Sequence, residues 1–287
     1  MRIKKIPFIK LTLSGLIAII LELVSLTPVK RLVQNWQTKV IKAPKKIGEL
    51  FVIEYFLDNP SHKKLIILQH GYLSKKEHQK DFATKLAANG YFVVTTDAYG
   101  HGQRNENTRV TMMDIIKKTS LEYDGLIEHY LYHTAVNADD FIIIGQSMGG
   151  MIAYHYVITG KYKPQAIATM ISTPDMGDLM NYELGLSYYQ NHKAHAITDE
   201  LEMKACNLIF EKFNPYEKIK AIDDVPLIIQ NMRFDFLIGS AGSDKLYNEL
   251  KNTRSEKLFK YNKLTAFFHY VPDRAKQNII GFLAQYD

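Results

Sequence analysis

Four large apolar residues, Phe141 to Ile144, run directly into Gly145-Gln146-Ser147-Met148-Gly149-Gly150. Such a run suits a strand buried on both faces. The residues that follow, SMGGMIAYHYVITG, have the composition of a helix ending at Gly160. A chain that passes from a buried strand into a helix through one residue forces that residue into a strained conformation, and glycines two positions to either side relieve the crowding. Ser147 is then held out at the carboxyl end of the strand, beside unpaired N–H groups and the partial positive charge of a helix N-terminus. A plain Ser/Gly turn would produce the same short string, so the surrounding chain has to decide.

That chain alternates strand and helix. GELFVIEYFL and KLIILQ read as strands joined by the turn DNPSHKK, KKEHQKDFATKLAANG has helical spacing with a stop at Asn89-Gly90, and YFVVTTD is a β-branched strand. Residues 112–132 and 241–252 read as helices, QAIATMIS, VPLIIQN and EKLFKY as strands, and RAKQNIIGFLAQY as a closing amphipathic helix. Continuous rather than alternating apolar strands predict an α/β fold: a mostly parallel central sheet with helices on both faces, its ligand site at the carboxyl ends of the strands. From Pro174 to Ile222 the alternation stops. This stretch is mostly helical in composition and carries Tyr182, Tyr188, Tyr189 and Phe213, so a helical cap insertion is expected over about residues 175–222 within a single domain spanning 36–287.

Residues 1–35 are different in kind. Arg2, Lys4, Lys5 and Lys10 precede an apolar run closed by Pro28, Lys30 and Arg31, with no small-x-small cleavage site. Glu22 interrupts the run, at about 2.5–3.5 kcal/mol for a charge at a bilayer centre, and the clean stretch from Leu11 to Leu21 is shorter than the ~20 residues that span a bilayer. Two readings stay open, a membrane anchor through residues 11–29 or an apolar helix packed on protein, and with them a cytoplasmic or a membrane-associated location. The net charge of +6 is spread over scattered lysines with no aromatic-interleaved basic stretch, so no nucleic-acid partner is expected. Cys206 is the only cysteine; it excludes an intrachain disulfide and metal sites built on paired thiolates, and lies in a charged, helix-like stretch unsuited to a nucleophile.

If Ser147 is a nucleophile, it needs a base to take its proton and a third group to orient the base. Of ten histidines, His129, His133, His155, His192 and His195 fall on or near predicted helices, whereas His269 follows the apolar LTAFF, just ahead of the closing helix, where a loop can reach the sheet's end. The acid is expected after a strand between the two, which selects Asp235 behind VPLIIQNMRF. Asp223 and Asp224 lie at the wrong end of that strand, and Asp244 is an alternative near a helix start. Two backbone donors are needed for an oxyanion: Met148 N–H, next after the serine, and Tyr72 N–H in the turn His70-Gly71-Tyr72 after LIILQ.

With these residues in place, the chain resembles the α/β-hydrolase superfamily from about residue 45 to its end. HGYLSKKEH, TTDAYGHGQR and GQSMGGM, in that order, are similar to a branch of small bacterial serine carboxylesterases. The resemblance implies that Asp97 to Gly102 shape the wall of the site, which leaves Asp97 and His101 outside the triad and makes Arg104 a salt-bridge partner or a receiver of a substrate carboxylate. Relatives usually carry His-Gly or Gln-Gly before the acidic loop where this chain has Asn231-Met232, so Asp235 rests on its spacing from VPLIIQ.

The expected function is therefore a serine hydrolase of carboxylic esters working through an acyl-enzyme, with Ser147, His269 and Asp235 as the triad. No cofactor or metal is expected. Tyr72, Tyr188 and Tyr189 are the expected substrate-binding residues, and a small-molecule ester of short acyl chain the expected ligand. An acyltransferase, thioesterase or lipase would use the same residues, and a non-catalytic membrane-tethered binding protein is the reading from another class. Oligomeric state is not legible.

Overall fold

In the computed structural model the described residues are 39–58, 64–104, 110–133, 136, 138–176, 187–190, 193–196, 214–222 and 224–286. The N-terminal apolar segment, Cys206, Asp223 and most of the expected cap lie outside them.

The apolar strands assemble into one eight-stranded sheet. Its members are β1 (Val40–Ile47), β2 (Leu50–Leu57), β3 (Leu65–Gln69), β4 (Phe92–Thr96), β6 (Ile142–Gln146), β7 (Ala166–Met170), β10 (Leu227–Phe234) and β11 (Phe259–Phe267), in the order β1-β2-β4-β3-β6-β7-β10-β11. β2 runs antiparallel to both its neighbours, β1 and β4. All other pairings are parallel. Helices α1 (Lys80–Ala88), α2 (Met112–His133), α3 (Met148–Thr159), α4 (Tyr216–Ala221), α5 (Ala241–Leu250) and α6 (Asp273–Leu283) complete the layers.

Why the central strands are apolar at every position follows from how their side chains divide. Leu65, Ile67 and Ile143 pack into one core with α2, α3 and α5, while Ile66, Leu68, Ile142 and Ile144 pack into a second with Phe82 and Leu86 of α1 and Ile279 and Phe282 of α6. Successive residues of a strand point to opposite faces, and here both faces are dry. Parallel pairing lines up the carboxyl ends of β3, β6, β7, β10 and β11.

The structure adds what the pattern did not show. β1 precedes the first expected strand and joins β2 through a two-residue turn at Gly48-Glu49, with Gly48 at φ +55°. β11 runs on through Asn262–Phe267 instead of ending at Tyr261, because its pairing with β10 continues.

Part of the expected cap is described, and it adds strands that the composition did not announce. Ser187–Gln190 (β8) and Lys193–Ala196 (β9) are strands, and with Val110–Thr111 (β5) they form a separate three-stranded antiparallel sheet. Tyrosine-rich sequence favours a strand once a partner is at hand, and that partner comes from far upstream. Of the described residues in 175–222, only α4 is helical.

The insertion's two ends are tied together: Asn214 Nδ2 donates to Asp175 Oδ1 (2.8 Å) and Asn214 Oδ1 accepts from Met176 N–H (3.2 Å). Among the described residues no helix is long and apolar enough to cross a membrane.

Candidate active site

Ser147 sits between β6 and α3 with φ +55° and ψ −121°, a backbone region that non-glycine residues enter only under constraint. The constraint is close packing. A Cβ on Gly145 would collide with the backbone of Gly149 and Gly150, and one on Gly149 would lie 2.5 Å from Gln69 O and 2.7 Å from His70 O. The Ser147 N–H bonds to Met170 O of β7 (2.8 Å), and its carbonyl accepts from Ser172 Oγ (2.8 Å).

Ser172 is itself clamped by buried Asn231. Asn231 Nδ2 donates to Ser172 O (3.0 Å) and Ser243 Oγ (3.0 Å), and Oδ1 accepts from Ser172 N–H (3.2 Å). Asn231, a departure from the resembling esterases, thus bridges β10, the end of β7 and α5.

β10 and β11 bring the other two groups. Their register shifts between Met232 and Phe234, where the rings of Phe234 and Phe267 stack at 4.8 Å, and Phe268 beyond them has φ +65°. Asp235 and His269 follow immediately. Asp235 Oδ1 accepts from Leu237 N–H (3.0 Å) and Ile238 N–H (3.1 Å), which fixes the buried carboxylate, and Oδ2 lies 2.7 Å from His269 Nδ1. His269 Nε2 lies 2.8 Å from Ser147 Oγ. A carboxylate only accepts, so Nδ1 carries the ring proton and Nε2 is left as the acceptor for the serine hydroxyl.

The structure therefore brings together Ser147, Asp235 and His269. The competing acids are engaged elsewhere. Asp244 accepts from Tyr261 Oη (2.7 Å), Lys263 Nζ (2.7 Å) and Ser240 Oγ (2.9 Å), and Asp224 pairs with Lys163.

The turn after β3 passes beside the serine. A Cβ on Gly71 would stand 3.1 Å from Ser147 Cβ. Its carbonyl accepts from His70 Nδ1–H (2.7 Å) and Ser74 N–H (3.2 Å). In a trans peptide the Tyr72 N–H points opposite to that carbonyl, away from buried His70. Met148 opens α3, so its N–H is one of the first four without an intrahelical acceptor.

Two neutral imidazoles and one carboxylate pin this turn to the 97–104 loop. His70 Nε2 accepts from Ala98 N–H (3.0 Å), and His101 Nε2 accepts from Leu73 N–H (3.1 Å) at a residue with φ +56°. Burial pushes His70 down to about 4 and lowers His101 as well. Asp97 accepts from Lys76 N–H (2.9 Å), Lys76 Nζ (2.6 Å) and Gln103 N–H (3.1 Å). Arg104 is held by Glu122 (2.7 Å) and Asp97 O (3.1 Å). The family resemblance implied that this loop is wall; that His70 and His101 serve as hydrogen-bond acceptors for backbone N–H groups is visible only once the two loops are adjacent.

A small apolar cleft opens at Ser147 between Tyr72, Met112, Met148, Met151, Leu237 and Ile238. Tyr188 and Tyr189 lie on β8, paired with Thr111 and Val110 next to Met112. Among the described residues no cluster of three His, Cys, Asp or Glu has the arrangement of a metal site.

The sheet order, with a serine at a strained bend between its strand and helix, defines an α/β hydrolase. Within that class the chain belongs to the Hydrolase_4 family, described as serine aminopeptidase, S33, which matches residues 60–241. It is 24% identical over 210 residues to "Putative esterase YitV" of Bacillus subtilis, a match covering 67% of this chain and 76% of that protein. Among solved structures, TT1662 from Thermus thermophilus superposes with a TM-score of 0.67 at 16% identity, over 86% of this chain and 98% of its own. The Pyrococcus furiosus esterase Pf2001 superposes at 0.59 with 16% identity, over 88% and 94% of the two chains. At these identities the solved structures speak for the fold.

Proposed function

We propose that this α/β hydrolase cleaves carboxylic esters, with Ser147 as nucleophile, His269 as general base and then general acid, and Asp235 as the group that orients and stabilises the imidazolium. The observation that carries the reading is the relay itself, Ser147 Oγ to His269 Nε2 at 2.8 Å and His269 Nδ1 to Asp235 Oδ2 at 2.7 Å. In acylation, Ser147 Oγ attacks the ester carbonyl as His269 takes its proton. The carbonyl oxygen becomes an oxyanion facing the N–H groups of Tyr72 and Met148, and collapse expels the alcohol, which takes the proton from His269. Water then enters by the same route, releases the acid and restores the serine.

The apolar cleft supports a short acyl or alcohol group as the part bound, with Tyr72 in its wall, and Tyr188 and Tyr189 are proposed as further substrate-binding residues because their strand pairs with the residues just before Met112. The two relatives named as esterases agree with this substrate class. Thioesters, lipid esters and transfer to another alcohol use the same atoms, and product analysis with an added acceptor separates transfer from hydrolysis.

Turnover of p-nitrophenyl esters of increasing acyl length tests the proposal, alongside Ser147→Ala. The variant should lose on the order of 10⁴–10⁶ in kcat and all labelling by a fluorophosphonate. Undiminished turnover or labelling in Ser147→Ala would remove the serine from the mechanism.

A further inference from the structure

Of the nine large apolar side chains exposed among the described residues, six lie within two positions of Tyr72, Asp235 or His269. They are Phe268 (74% exposed), Phe236 (69%), Phe267 and Tyr270 (62% each), Leu73 (55%) and Leu237 (44%). Scattered single hydrophobics are normal on a surface, but their concentration around one opening is not. Leu237 also lines the cleft at Ser147, so the rim and the cleft are continuous. Phe268 is held outward at φ +65° by a bond from its N–H to Phe234 O (3.1 Å), a strained backbone that leaves its ring in solvent.

Charge completes the pattern. Lys75, Arg233 and Arg274, each within four positions of a rim residue, are exposed and have no acidic partner among the described residues. The nearby acids are already matched: Glu77 with Lys76 (3.1 Å) and Asp273 with Lys85 (2.9 Å). Exposed aromatic side chains with unmatched cations close by along the same loops suit the boundary of an anionic bilayer, where the rings enter the headgroup region and the cations meet phosphates.

We propose that this rim seats the protein on an anionic lipid surface and that its substrates are esters held in that surface. The substrate half of the inference rests on the hydrolase reading above; the docking half does not. On the surface, Ser147 faces the ester without the substrate first dissolving in water.

The full chain, Phe236→Ser/Phe268→Ser and Arg233→Glu/Arg274→Glu are compared on vesicles of phosphatidylcholine with phosphatidylglycerol and on pure phosphatidylcholine. All three proteins carry residues 11–29 unchanged, so differences between them report the rim. Both variants should cosediment about tenfold less with the anionic vesicles and hydrolyse an embedded p-nitrophenyl ester about tenfold more slowly. On dissolved p-nitrophenyl acetate they should keep wild-type kcat/KM within about twofold, which also shows that they are folded.

Cosedimentation and vesicle turnover equal to wild type in both variants would overturn the inference. So would a wild-type dimer that the variants convert to monomer with no change on vesicles, since the rim would then cover a second copy. Ser147→Ala separates the two proposals. It should bind vesicles like wild type while losing turnover, and turnover of dissolved ester that survives in it counts against the hydrolase reading alone.

Discussion

Three glycines set how tightly the nucleophile is held, and they differ in what each protects. At Gly149 an added methyl would press on Gln69 O and His70 O, backbone atoms of β3 and its turn that cannot yield without moving the chain beside Ser147. Gly149→Ala should lose about 1–3 kcal/mol or more in a urea melt. At Gly71 the first atom met is Ser147 Cβ at 3.1 Å, and the residue has no positive φ. Gly71→Ala should therefore melt close to wild type while its kcat falls, and equal losses of stability in the two variants would refute this division. At this scale the sequence was informative where one residue type has few uses. Gly145, Ser147 and Gly149 announced a bend, and His269 stood apart from the helical histidines. Asn231 was legible only as a departure, because its role lies in Ser172 and Ser243, which meet it only in the fold.

Among the elements, the turn at residues 70–76 depends on histidines staying neutral. His70 is held down to about 4 and His101 is lowered, in both cases first by burial; His155 in α3 is likewise brought to about 4. In the unfolded chain these rings titrate near ~6.5, so as pH falls the unfolded state takes up protons first. Their contribution is complete above about 6.5 and is lost as pH drops toward about 4. Urea melts across that range should show stability falling by a few kcal/mol, with His101→Gln flattening part of the slope; a pH-independent midpoint would contradict the neutral tautomers. The central strands were readable because burial on both faces leaves a continuous apolar run. β1 was not, because its outer position fills it with Lys42, Pro44, Lys45 and Lys46. β8 and β9 were missed for another reason: they are four-residue strands that pair with each other, and β8 pairs onward only with the distant two-residue β5, so no run is long enough to show a period.

Over the whole molecule, a sheet with two edges has to keep other sheets away. At one edge β1 carries exposed Lys42, Pro44, Lys45 and Lys46, charge and a missing donor where an incoming strand would pair. Lys42→Val/Pro44→Thr/Lys46→Val should self-associate in sedimentation velocity while hydrolysing dissolved ester as before, the site being at the far ends of other strands. A variant that stays in the wild-type state would show that β1 needs no such guard. Ser147, Asp235 and His269 hang from β6, β10 and β11, whereas the stretch between β7 and α4 is tied at its described ends by the pair Asp175 and Asn214. A lineage can thus lengthen, shorten or exchange that stretch as a cassette, retuning which molecules are admitted while the hydrolytic engine beneath passes unaltered from one descendant to the next.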